Sequence, residues 1–165
     1  MHTEMPVLID DASGQPGNFM LCRIEPGDIE ALVSLCVEHA CYERAEYTPV
    51  GKAELLRRAL FAEPVKLLAW GAKIDGKLAG YASATIEFST WLAREYAHLD
   101  CLFVAEEYRG HGLGAALLAK IVQFAREQGV DQVQWQTPEW NERARKFYRR
   151  EGAAEKLKAR YTLDL

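Results

Sequence analysis

The chain has 165 residues, of which 49% are hydrophobic and 27% charged, and its formal net charge is −4. This length suits one domain with a sizeable core, and the composition excludes an intrinsically disordered or collagen-like chain. The acidic balance disfavours a nucleic-acid partner, because nucleic-acid phosphates attract basic surfaces. No apolar stretch approaches the length of a membrane span, so we expect no membrane partner.

The cysteines bear on metal binding and on the cellular compartment. Cys22, Cys36, Cys41 and Cys101 form no C-x-x-C pair and have no histidine at metal-ligand spacing, so we expect no metal. The opening residues Met1-His2-Thr3-Glu4 have no basic n-region, so we expect no secretory leader. The pattern therefore predicts four reduced thiols in a cytoplasmic protein, each a small buried hydrophobe.

The first third of the chain predicts a leader, a strand and two helices. Residues 1–18 are rich in turn residues and are expected to form a flexible leader before a domain that covers residues 19–165. A strand follows at Phe19–Glu25, and Asp28 is a plausible N-cap for a helix through Tyr42. A second helix is predicted near Ala53–Phe61. The expected apolar faces of the two helices are Ile29, Leu32, Val33, Cys36 and Val37, and Leu55, Leu56 and Leu60.

The middle of the chain predicts a hairpin. Two β-type runs, Val65–Ile74 and Lys77–Phe88, flank Asp75-Gly76, a dipeptide favoured in two-residue primed turns. A third strand is expected at Tyr96–Val104. Apolar residues at helical spacing then predict a long helix that ends at Gly129; these are Leu113, Leu117, Ile121 and Phe124.

The end of the chain predicts a strand at Val130–Gln136, a helix at Glu142–Arg150 and a final alternating strand at Ala159–Leu165. Antiparallel strands come first and a strand–helix–strand unit follows. The whole pattern is that of a single α/β domain.

A glycine-rich segment carries the sharpest chemical signal. Arg109 precedes Gly110-His111-Gly112-Leu113-Gly114-Ala115, which lies between a predicted strand and a predicted helix. Alternating glycines at a helix N-terminus let several backbone N–H groups point outward together, and this predicts a phosphate or pyrophosphate site. The P-loop pattern is absent, which excludes that class of NTPase. The segment fits the dinucleotide pattern G-x-G-x-x-A, but it begins two-thirds along the chain, which disfavours a nicotinamide dehydrogenase.

Two motifs resemble those of the GNAT acyl-CoA N-acyltransferases. Leu102-Phe103-Val104 with Tyr108-Arg109-Gly110-x-Gly112-x-Gly114 is similar to motif A of that family. Glu139-Trp140-Asn141 with Phe147-Tyr148-x-x-x-Gly152 is similar to motif B. The chain more narrowly resembles the diamine (spermidine/spermine and thialysine) acetyltransferase branch. The resemblance implies a single-domain α/β fold whose central sheet is mixed, mostly antiparallel, and covered by helices on both faces.

The resemblance also implies an acetyl-CoA site. The backbone of Leu102, Phe103 and Val104 is expected to pair with the pantetheine arm, and the segment from Arg109 to Ala115 is expected to take the pyrophosphate. Four residues are expected along the pantetheine arm: Asn141, Glu142, Arg143 and Ala144. Tyr148 is expected beside the thioester sulfur. A phenol suits that position, because its ordinary pKa of about 10 lets it protonate a departing thiolate of pKa about 8.5.

Asp100 interrupts an otherwise apolar strand, at a position where the diamine branch usually carries a glutamate. Direct transfer of a proton from an ammonium to a carboxylate is roughly 9 kcal/mol uphill, from a pKa mismatch of about 6 units. We therefore expect Asp100 to hold the amine and to relay its proton through ordered water. His98 is an alternative base with a better matched pKa.

The acceptor site is the part in which the chain departs from the resemblance. Tyr42 and Glu43 match residues that line the polyamine site, and Trp91 could contact a cation. The strand residues Gln134, Trp135 and Gln136 are also expected on the substrate side. Two acidic positions of the relatives are occupied here by Cys101 and Ser89, which weakens the attraction for a long polycation.

These observations predict an acetyl-CoA-dependent N-acetyltransferase that transfers the acetyl group directly to a small primary amine. The acceptor is a polyamine or diamine, an amino acid, an aminothiol or an amino sugar. The relatives imply a homodimer. The alternatives are a non-catalytic acyl-CoA-binding sensor with the same fold, and a GNAT enzyme that acts on an amino sugar or a protein amine.

Overall fold

The computed structural model describes residues 19–165, so the expected leader at residues 1–18 lies outside the described part of the chain. The fold divides into two compact units, one that ends at Trp135 and one that covers Gln136–Leu165. The first unit contains the sheet and most of the helices. The second contains one helix and the C-terminal segment.

The first unit is an α/β layer structure. In chain order its elements are β1 (Met20–Arg23), α1 (Ile29–Tyr42), α2 (Lys52–Phe61), β2 (Leu68–Ile74), β3 (Lys77–Ser89), β4 (Arg94–Val104), α3 (Leu113–Glu127) and β5 (Val133–Gln134). The strands form one sheet in the order β1-β2-β3-β4-β5. Every pair is antiparallel except β4 and β5, which are parallel. The expectation of a mixed, mostly antiparallel sheet is confirmed.

The hairpin between β2 and β3 forms as predicted. Asp75 has φ 48° and Gly76 has φ 75°, so both turn residues lie in the left-handed region. A two-residue primed turn requires this backbone conformation, because its twist matches that of the flanking strands. Ile74 and Lys77 are paired directly across the turn.

Helices cover both faces of the sheet. Because successive side chains of a strand point to opposite faces, Ala69 and Trp70 belong to different faces. Ala69 packs with Tyr81 and Phe103 against α1 and α2. Trp70 contacts Phe124 of α3 on the other face, with ring centres 5.1 Å apart. None of the helices within residues 19–165 is long and apolar enough to cross a membrane.

Three residues of α1 and α2 that were predicted to be buried are exposed. Val37 is 40% exposed and Leu35 is buried in its place, since the buried stripe of α1 continues at a spacing of three from Leu32. Leu55 of α2 is 58% exposed, and Leu60 is the residue of that helix that is fully buried. The cysteines are all free, but Cys41 is exposed at the end of α1 and is no buried hydrophobe.

Asp28 does not cap α1 with its side chain, because the chain enters the helix through a short 3-10 turn at Pro26–Asp28. Its carboxylate instead accepts a hydrogen bond of 3.1 Å from the Glu25 N–H and forms a 2.8 Å ion pair with Lys73 of β2. The predicted N-cap therefore joins the start of α1 to the sheet.

The strands after β4 are shorter than the sequence predicts. The run Val130–Gln136 forms a ladder only at Val133–Gln134, while Val130 packs into the core with Ala97. In the second unit, α4 (Glu142–Arg150) has the predicted bounds. The predicted strand Ala159–Leu165 is wrong: residues 153–165 have no regular secondary structure. Alternating apolar residues form a strand only where a neighbour pairs with them, and no described strand does so here.

Within the paired stretch, β4 has one residue more than β3, since Arg94–Val104 is paired with Gly80–Ser89. Leu99 is paired with Ala84 and Cys101 is paired with Ser83, so Asp100 lies in excess between them. This arrangement is a β-bulge, which locally disrupts the ladder and re-aims a side chain. The fold thus presents the candidate acid at an irregularity of the central sheet.

Candidate active site

The outer edge of β4 is paired over only two residues. Strand β5 faces Ala97 and His98, and no other described strand lies along β4 beyond them. The Ala105 N–H donates a hydrogen bond to the Ala79 carbonyl of β3, so the N–H of Ala105 faces β3. Because backbone groups alternate along a strand, the N–H and C=O groups of Leu102 and Val104 face the open edge.

This alternation reduces the backbone expected to contact the cofactor from three residues of β4 to two. Phe103 turns its backbone toward β3 and its side chain into the core against α1 and α2. Only Leu102 and Val104 therefore offer backbone groups to an extended ligand along the edge. The geometry fits an amide-containing chain such as a pantetheine arm, which can pair with a strand edge through main-chain hydrogen bonds.

The glycine-rich segment turns the chain from β4 into α3. Gly110 has φ 87° and Gly112 has φ 80°, conformations that L-residues rarely adopt. Gly112 occupies the N-cap position, so no side chain caps α3. The first hydrogen bond inside the helix is from the Ala116 N–H to the Gly112 carbonyl, at 3.0 Å. The preceding N–H groups at the start of α3 thus supply donors for an anion; they belong to Leu113, Gly114 and Ala115.

Arg109 is anchored on the protein. Its Nε donates a 2.8 Å hydrogen bond to the Val104 carbonyl, and its guanidinium carbon lies 4.6 Å from the centre of the Tyr42 ring. The Phe103 ring centre is 5.4 Å from the same carbon. Arg109 therefore braces the glycine-rich turn against β4 and α1, a role that the sequence did not indicate. His111 lies beside it, exposed, with Nδ1 3.3 Å from the Tyr108 carbonyl.

The bulge presents Asp100 as an exposed carboxylate with a buried partner. The Ser83 hydroxyl, which is buried, donates to Asp100 Oδ2 at 3.5 Å. Burial raises the pKa of Cys101 to about 12, so this thiol is neutral at physiological pH. The alternative base, His98, is half-buried in β4 opposite Thr85.

Next to Asp100 lies a polar cluster that sequence reasoning missed. The Tyr81 hydroxyl is 3.1 Å from His39 Nδ1 and accepts a 3.5 Å hydrogen bond from the Cys36 thiol. The His39 ring stacks on Phe103, with centres 4.9 Å apart, and its Nε2 lies 3.5 Å from the Glu43 carboxylate. Helical spacing was the available signal, because His39 follows Cys36 by three residues and precedes Glu43 by four.

The structure brings together some of the expected acceptor residues. Tyr42, at the end of α1, contacts Phe103 and Arg109, and Glu43 is joined to this group through His39, which stacks on Phe103. Trp91 does not join them: it is 95% exposed in the turn between β3 and β4. That turn is about nine residues along β4 from Phe103, or roughly 30 Å at the usual rise of a strand.

Three consecutive residues that were expected on the substrate side lie at the end of β5 and directly after it. Gln134 is exposed in β5, where its side-chain amide donates to Gln132 at 2.9 Å. Trp135 is half-buried at the end of the first unit, and Gln136 is exposed at the start of the second.

The second unit contains the motif B residues on and before α4. The side chain of Asn141 accepts a 3.1 Å hydrogen bond from the Ala144 N–H and so caps the helix. Glu142 is paired with Arg145 and Arg149, while Arg143 is exposed. Tyr148 is half-buried, with its ring centre 5.1 Å from that of Phe147.

The C-terminal segment is tied to α4 by ion pairs. Arg145 and Arg149 both contact the Glu155 carboxylate, the second at 2.9 Å. The hydrogen bond from Arg145 lowers the pKa of Glu155 below its usual range. These pairs are open to solvent, so they stabilise the segment only weakly.

Comparison with known proteins identifies the family to which the chain is similar. The profile of the acetyltransferase (GNAT) family matches residues 32–153. A thialysine N-epsilon-acetyltransferase of Caenorhabditis elegans is 29% identical over 131 residues, which cover 79% of this chain and 80% of that protein. A D-amino-acid N-acetyltransferase of Saccharomyces cerevisiae is 30% identical over 129 residues, which cover 76% and 78%.

A solved structure shares the fold. It is described as a predicted acetyltransferase with acetyl-CoA from Clostridium acetobutylicum, and it has a TM-score of 0.72 and 15% identity. The match covers 88% of this chain and 96% of that one. With the family match over most of the chain, the mixed sheet and the glycine-rich turn, the chain belongs to the GNAT acetyltransferase family and is an N-acetyltransferase.

Proposed function

We propose that this enzyme transfers the acetyl group of acetyl-CoA directly to the primary amine of an amino-acid-like acceptor. One arrangement carries the proposal: the open edge of β4 runs from the bulge at Asp100 to the bare N-terminus of α3. An extended donor laid along this edge would have its diphosphate near the helix and its reactive end near the acid.

Members of the GNAT family take the acetyl group from acetyl-CoA, which supplies an activated thioester. In the proposal, the backbone groups of Leu102 and Val104 hold the pantetheine arm. The N–H groups at the start of α3 bind the diphosphate, aided by the helix dipole. Asn141 and the first turn of α4 provide further contacts along the arm, as the resemblance implies.

Asp100 is proposed to hold the acceptor ammonium. An ammonium cannot attack a thioester, so it must first lose a proton, and the carboxylate passes that proton on through ordered water. The free amine then forms the C–N bond while the C–S bond breaks. Tyr148 is proposed to protonate the departing thiolate. No covalent enzyme intermediate is needed, since none of the cysteines was found with a base partner at motif spacing.

The acceptor class is inferred from charge and from the relatives. Next to Asp100, Cys101 carries a neutral thiol rather than a second carboxylate. A single carboxylate suits one ammonium better than a long polycation. The two relatives above act, by their names, on thialysine and on D-amino acids, which are amino acids with an acetylatable amine. We extend that class to this chain.

An amine panel tests the proposal. The purified protein is mixed with acetyl-CoA and thiol release is measured with thialysine, lysine, ornithine, D-amino acids, spermidine or an aminoglycoside. We expect the highest kcat/KM with an amino acid, and an acetylated amine in the mass spectrum. Binding of acetyl-CoA without thiol release for any amine would favour the sensor alternative. A preference for spermidine or an aminoglycoside would overturn the acceptor class alone.

The resemblance to the diamine branch also leads us to propose a cytoplasmic homodimer. Sedimentation of the purified protein tests the dimer directly. A monomer that turns over at the same rate per chain would remove the dimer from the proposal and leave the chemistry unchanged.

A further inference from the structure

His39 lies at the centre of a group of contacts at the end of α1; we call it the His39 cluster (Cys36, His39, Glu43, Tyr81 and Phe103). The His39 ring stacks on Phe103, with ring centres 4.9 Å apart and 19° between the planes. Its Nδ1 lies 3.1 Å from the Tyr81 hydroxyl, and its Nε2 lies 3.5 Å from the Glu43 carboxylate. One side chain therefore joins the central sheet to the end of the helix.

The inner contact of the His39 cluster is buried. Tyr81 is only 3% exposed and packs among apolar residues. Phenylalanine would fill this volume without the cost of burying a hydroxyl. The hydroxyl is nevertheless present, and it is hydrogen-bonded both to the Cys36 thiol at 3.5 Å and to His39 at 3.1 Å. Because hydrogen bonds are strong in such surroundings, the Tyr81 hydroxyl fixes the orientation of the His39 ring.

The orientation of the ring presents an N–H group to Glu43. Nε2 carries a proton in the neutral form whose Nδ1 accepts from Tyr81, and it also carries one in the protonated ring. The other neutral form would set a lone pair of Nε2 against the carboxylate. The His39–Glu43 contact is therefore attractive whether or not the ring is protonated. It is made by one carboxylate oxygen, Oε1, and a carboxylate can accept at both of its oxygens.

Glu43 occupies a position that stability alone disfavours. It caps the C-terminal end of α1, where the negative end of the helix dipole repels a carboxylate. The chain leaves the helix directly after it: Arg44 has φ 57°, a left-handed conformation that residues other than glycine rarely adopt. The Arg44 N–H donates to the Cys41 carbonyl at 3.1 Å and closes the turn. Strained backbone of this kind is concentrated at functional sites.

The His39 cluster lies on the same face of the sheet as the partner of the candidate acid. Tyr81 and Ser83 are two residues apart on β3, so their side chains share a face, and Ser83 is hydrogen-bonded to Asp100. Phe103 follows Asp100 by three residues, or about 10 Å along β4. The two nitrogens of an extended lysine are about 7 Å apart, and a charge-assisted hydrogen bond adds about 3 Å at each end. An amino acid of this length is therefore long enough to reach from Asp100 to the end of α1.

We propose that His39 is a positioning residue for the acceptor: it holds Glu43 where the carboxylate binds the second ammonium of a diamino acid whose other amine is acetylated at Asp100. The inference rests on the proposed function, because it needs an amino-acid acceptor at Asp100. Glu43 contacts the acceptor in this scheme, and His39 acts only through Glu43. The consequence is a preference for acceptors that carry two ammonium groups.

The test compares lysine with 6-aminohexanoic acid, which lacks only the α-amino group. For each protein, the ratio of kcat/KM for lysine to kcat/KM for 6-aminohexanoic acid measures the contribution of the second ammonium. We expect Glu43→Gln to lower this ratio about tenfold or more, because a hydrogen bond between two charged groups is lost. The acetyl-CoA Kd, measured by calorimetry, should remain at the wild-type value.

His39→Phe is the decisive variant. Phenylalanine keeps the stack on Phe103 and removes both ring nitrogens. We expect the lysine ratio to fall about threefold or more, with kcat/KM for 6-aminohexanoic acid almost unchanged. The double variant His39→Phe/Glu43→Gln should have the ratio of Glu43→Gln alone, because His39 acts only through that carboxylate.

Leu35→Ala and Glu38→Gln are the matched controls. Leu35 is a buried residue of α1 in the same core, so its variant loses stability there while every side chain of the His39 cluster is kept. Glu38 is an exposed carboxylate on the same helix. Both controls should keep the wild-type ratio. Because Leu35→Ala also lowers the melting temperature, it separates a loss of stability from a loss of acceptor preference.

A wild-type ratio in Glu43→Gln or in His39→Phe would overturn the proposal. The proposal also fails if the two effects multiply in the double variant, since His39 would then act independently of Glu43. An equal fall of the ratio in Leu35→Ala and His39→Phe would make the cluster merely structural. Thiol release with some amine but no preference for lysine over 6-aminohexanoic acid overturns this inference alone. Absence of thiol release with every amine overturns the proposed function itself.

Discussion

Arg109 donates a 2.8 Å hydrogen bond from Nε to the backbone carbonyl of Val104, five residues before it. That carbonyl faces the open edge of β4, so the arginine uses an acceptor that an extended ligand would otherwise meet. The remaining free groups along the edge are the N–H and C=O of Leu102 and the N–H of Val104. The bond defines the end of the strip at which the chain leaves the strand for the glycine-rich turn.

Arg109→Ala should therefore destabilise the protein before any ligand is added. The variant loses the hydrogen bond to the Val104 carbonyl and the contacts with the rings of Tyr42 and Phe103. This should lower the free energy of unfolding by about 1–2 kcal/mol. Urea unfolding without acetyl-CoA measures this, with Arg126→Ala, an exposed arginine at the end of α3, as the control. If the unliganded protein keeps its stability and only acetyl-CoA binding weakens, Arg109 is a phosphate ligand rather than a brace.

Gly112→Val should abolish the rise in melting temperature that acetyl-CoA produces. A side chain at φ 80° strains the turn and covers the N–H groups at the start of α3. Gly129→Val is the matched control, because Gly129 has φ 74° at the other end of the same helix. Both variants should lose stability, but only Gly112→Val should lose the thermal shift. An unchanged shift in Gly112→Val would remove the diphosphate site from this turn.

Tyr148→Phe should lower kcat by roughly 10- to 1000-fold and leave the acetyl-CoA Kd unchanged, since it removes only the proton donor. Steady-state kinetics and calorimetry separate the two quantities. Tyr161→Phe in the exposed C-terminal segment is the control and should behave as wild type. Wild-type turnover in Tyr148→Phe would mean that water protonates the thiolate.

Asp100→Asn should raise the KM for the amine, lower kcat and leave the acetyl-CoA Kd almost unchanged. Its activity should also rise at a higher pH than that of the wild type, because the site no longer helps the proton to leave. Ser83→Ala, which removes only the hydrogen bond to Asp100, should give a smaller loss of the same kind. If His98→Ala produces the alkaline shift and Asp100→Asn does not, the base is His98.

The Cys101 thiol should make the protein less stable in alkali. Its pKa is raised from 9.0 to about 12 in the folded protein, so its stabilising contribution is full below pH 9 and is lost as the pH rises toward 12. At pH 10, one unit above the unfolded value, the loss is about 1.4 kcal/mol. Urea unfolding at pH 8 and pH 10 should show a smaller difference in Cys101→Ser than in wild type. An equal difference in both would contradict the assignment, and Cys41→Ser should match wild type.

Local patterns in the sequence predicted much of the fold. The Asp75-Gly76 turn, the apolar face of α3 and the bounds of α4 depend on backbone preferences of adjacent residues, and all three are as expected. The strand expected at Ala159–Leu165 depends on a neighbour elsewhere in the chain. Periodicity cannot reveal whether that neighbour exists, and this prediction failed.

Sequence reasoning predicted the site residues that are neighbours in the chain and belong to one motif. It missed the residues that are distant in the chain and that the sheet brings together. The turn from Arg109 to Ala115 was found from its glycines. The link between His39 and Tyr81 joins residues 42 positions apart, so the helical spacing of His39 with Cys36 and Glu43 indicates a shared helix face but not the partner on the sheet. Trp91, which the resemblance places on the substrate side, is 95% exposed in the turn between β3 and β4, and its contact with a cation stays a prediction.

The β-bulge at Asp100 interrupts the regular pairing of β4 at the residue proposed to hold the amine. Before the bulge, Ala97 and Leu99 turn their side chains toward α3, and after it Leu102 does the same. Without Asp100, side chains from Ala97 to Leu102 would alternate regularly between the two faces of the sheet. Asp100 is thus the one residue that this part of the strand could lose while its neighbours kept their faces and partners. A chain shortened by this single residue would form a more regular sheet and lack the group proposed to hold the amine. Selection for stability alone would discard the residue that selection for turnover must retain.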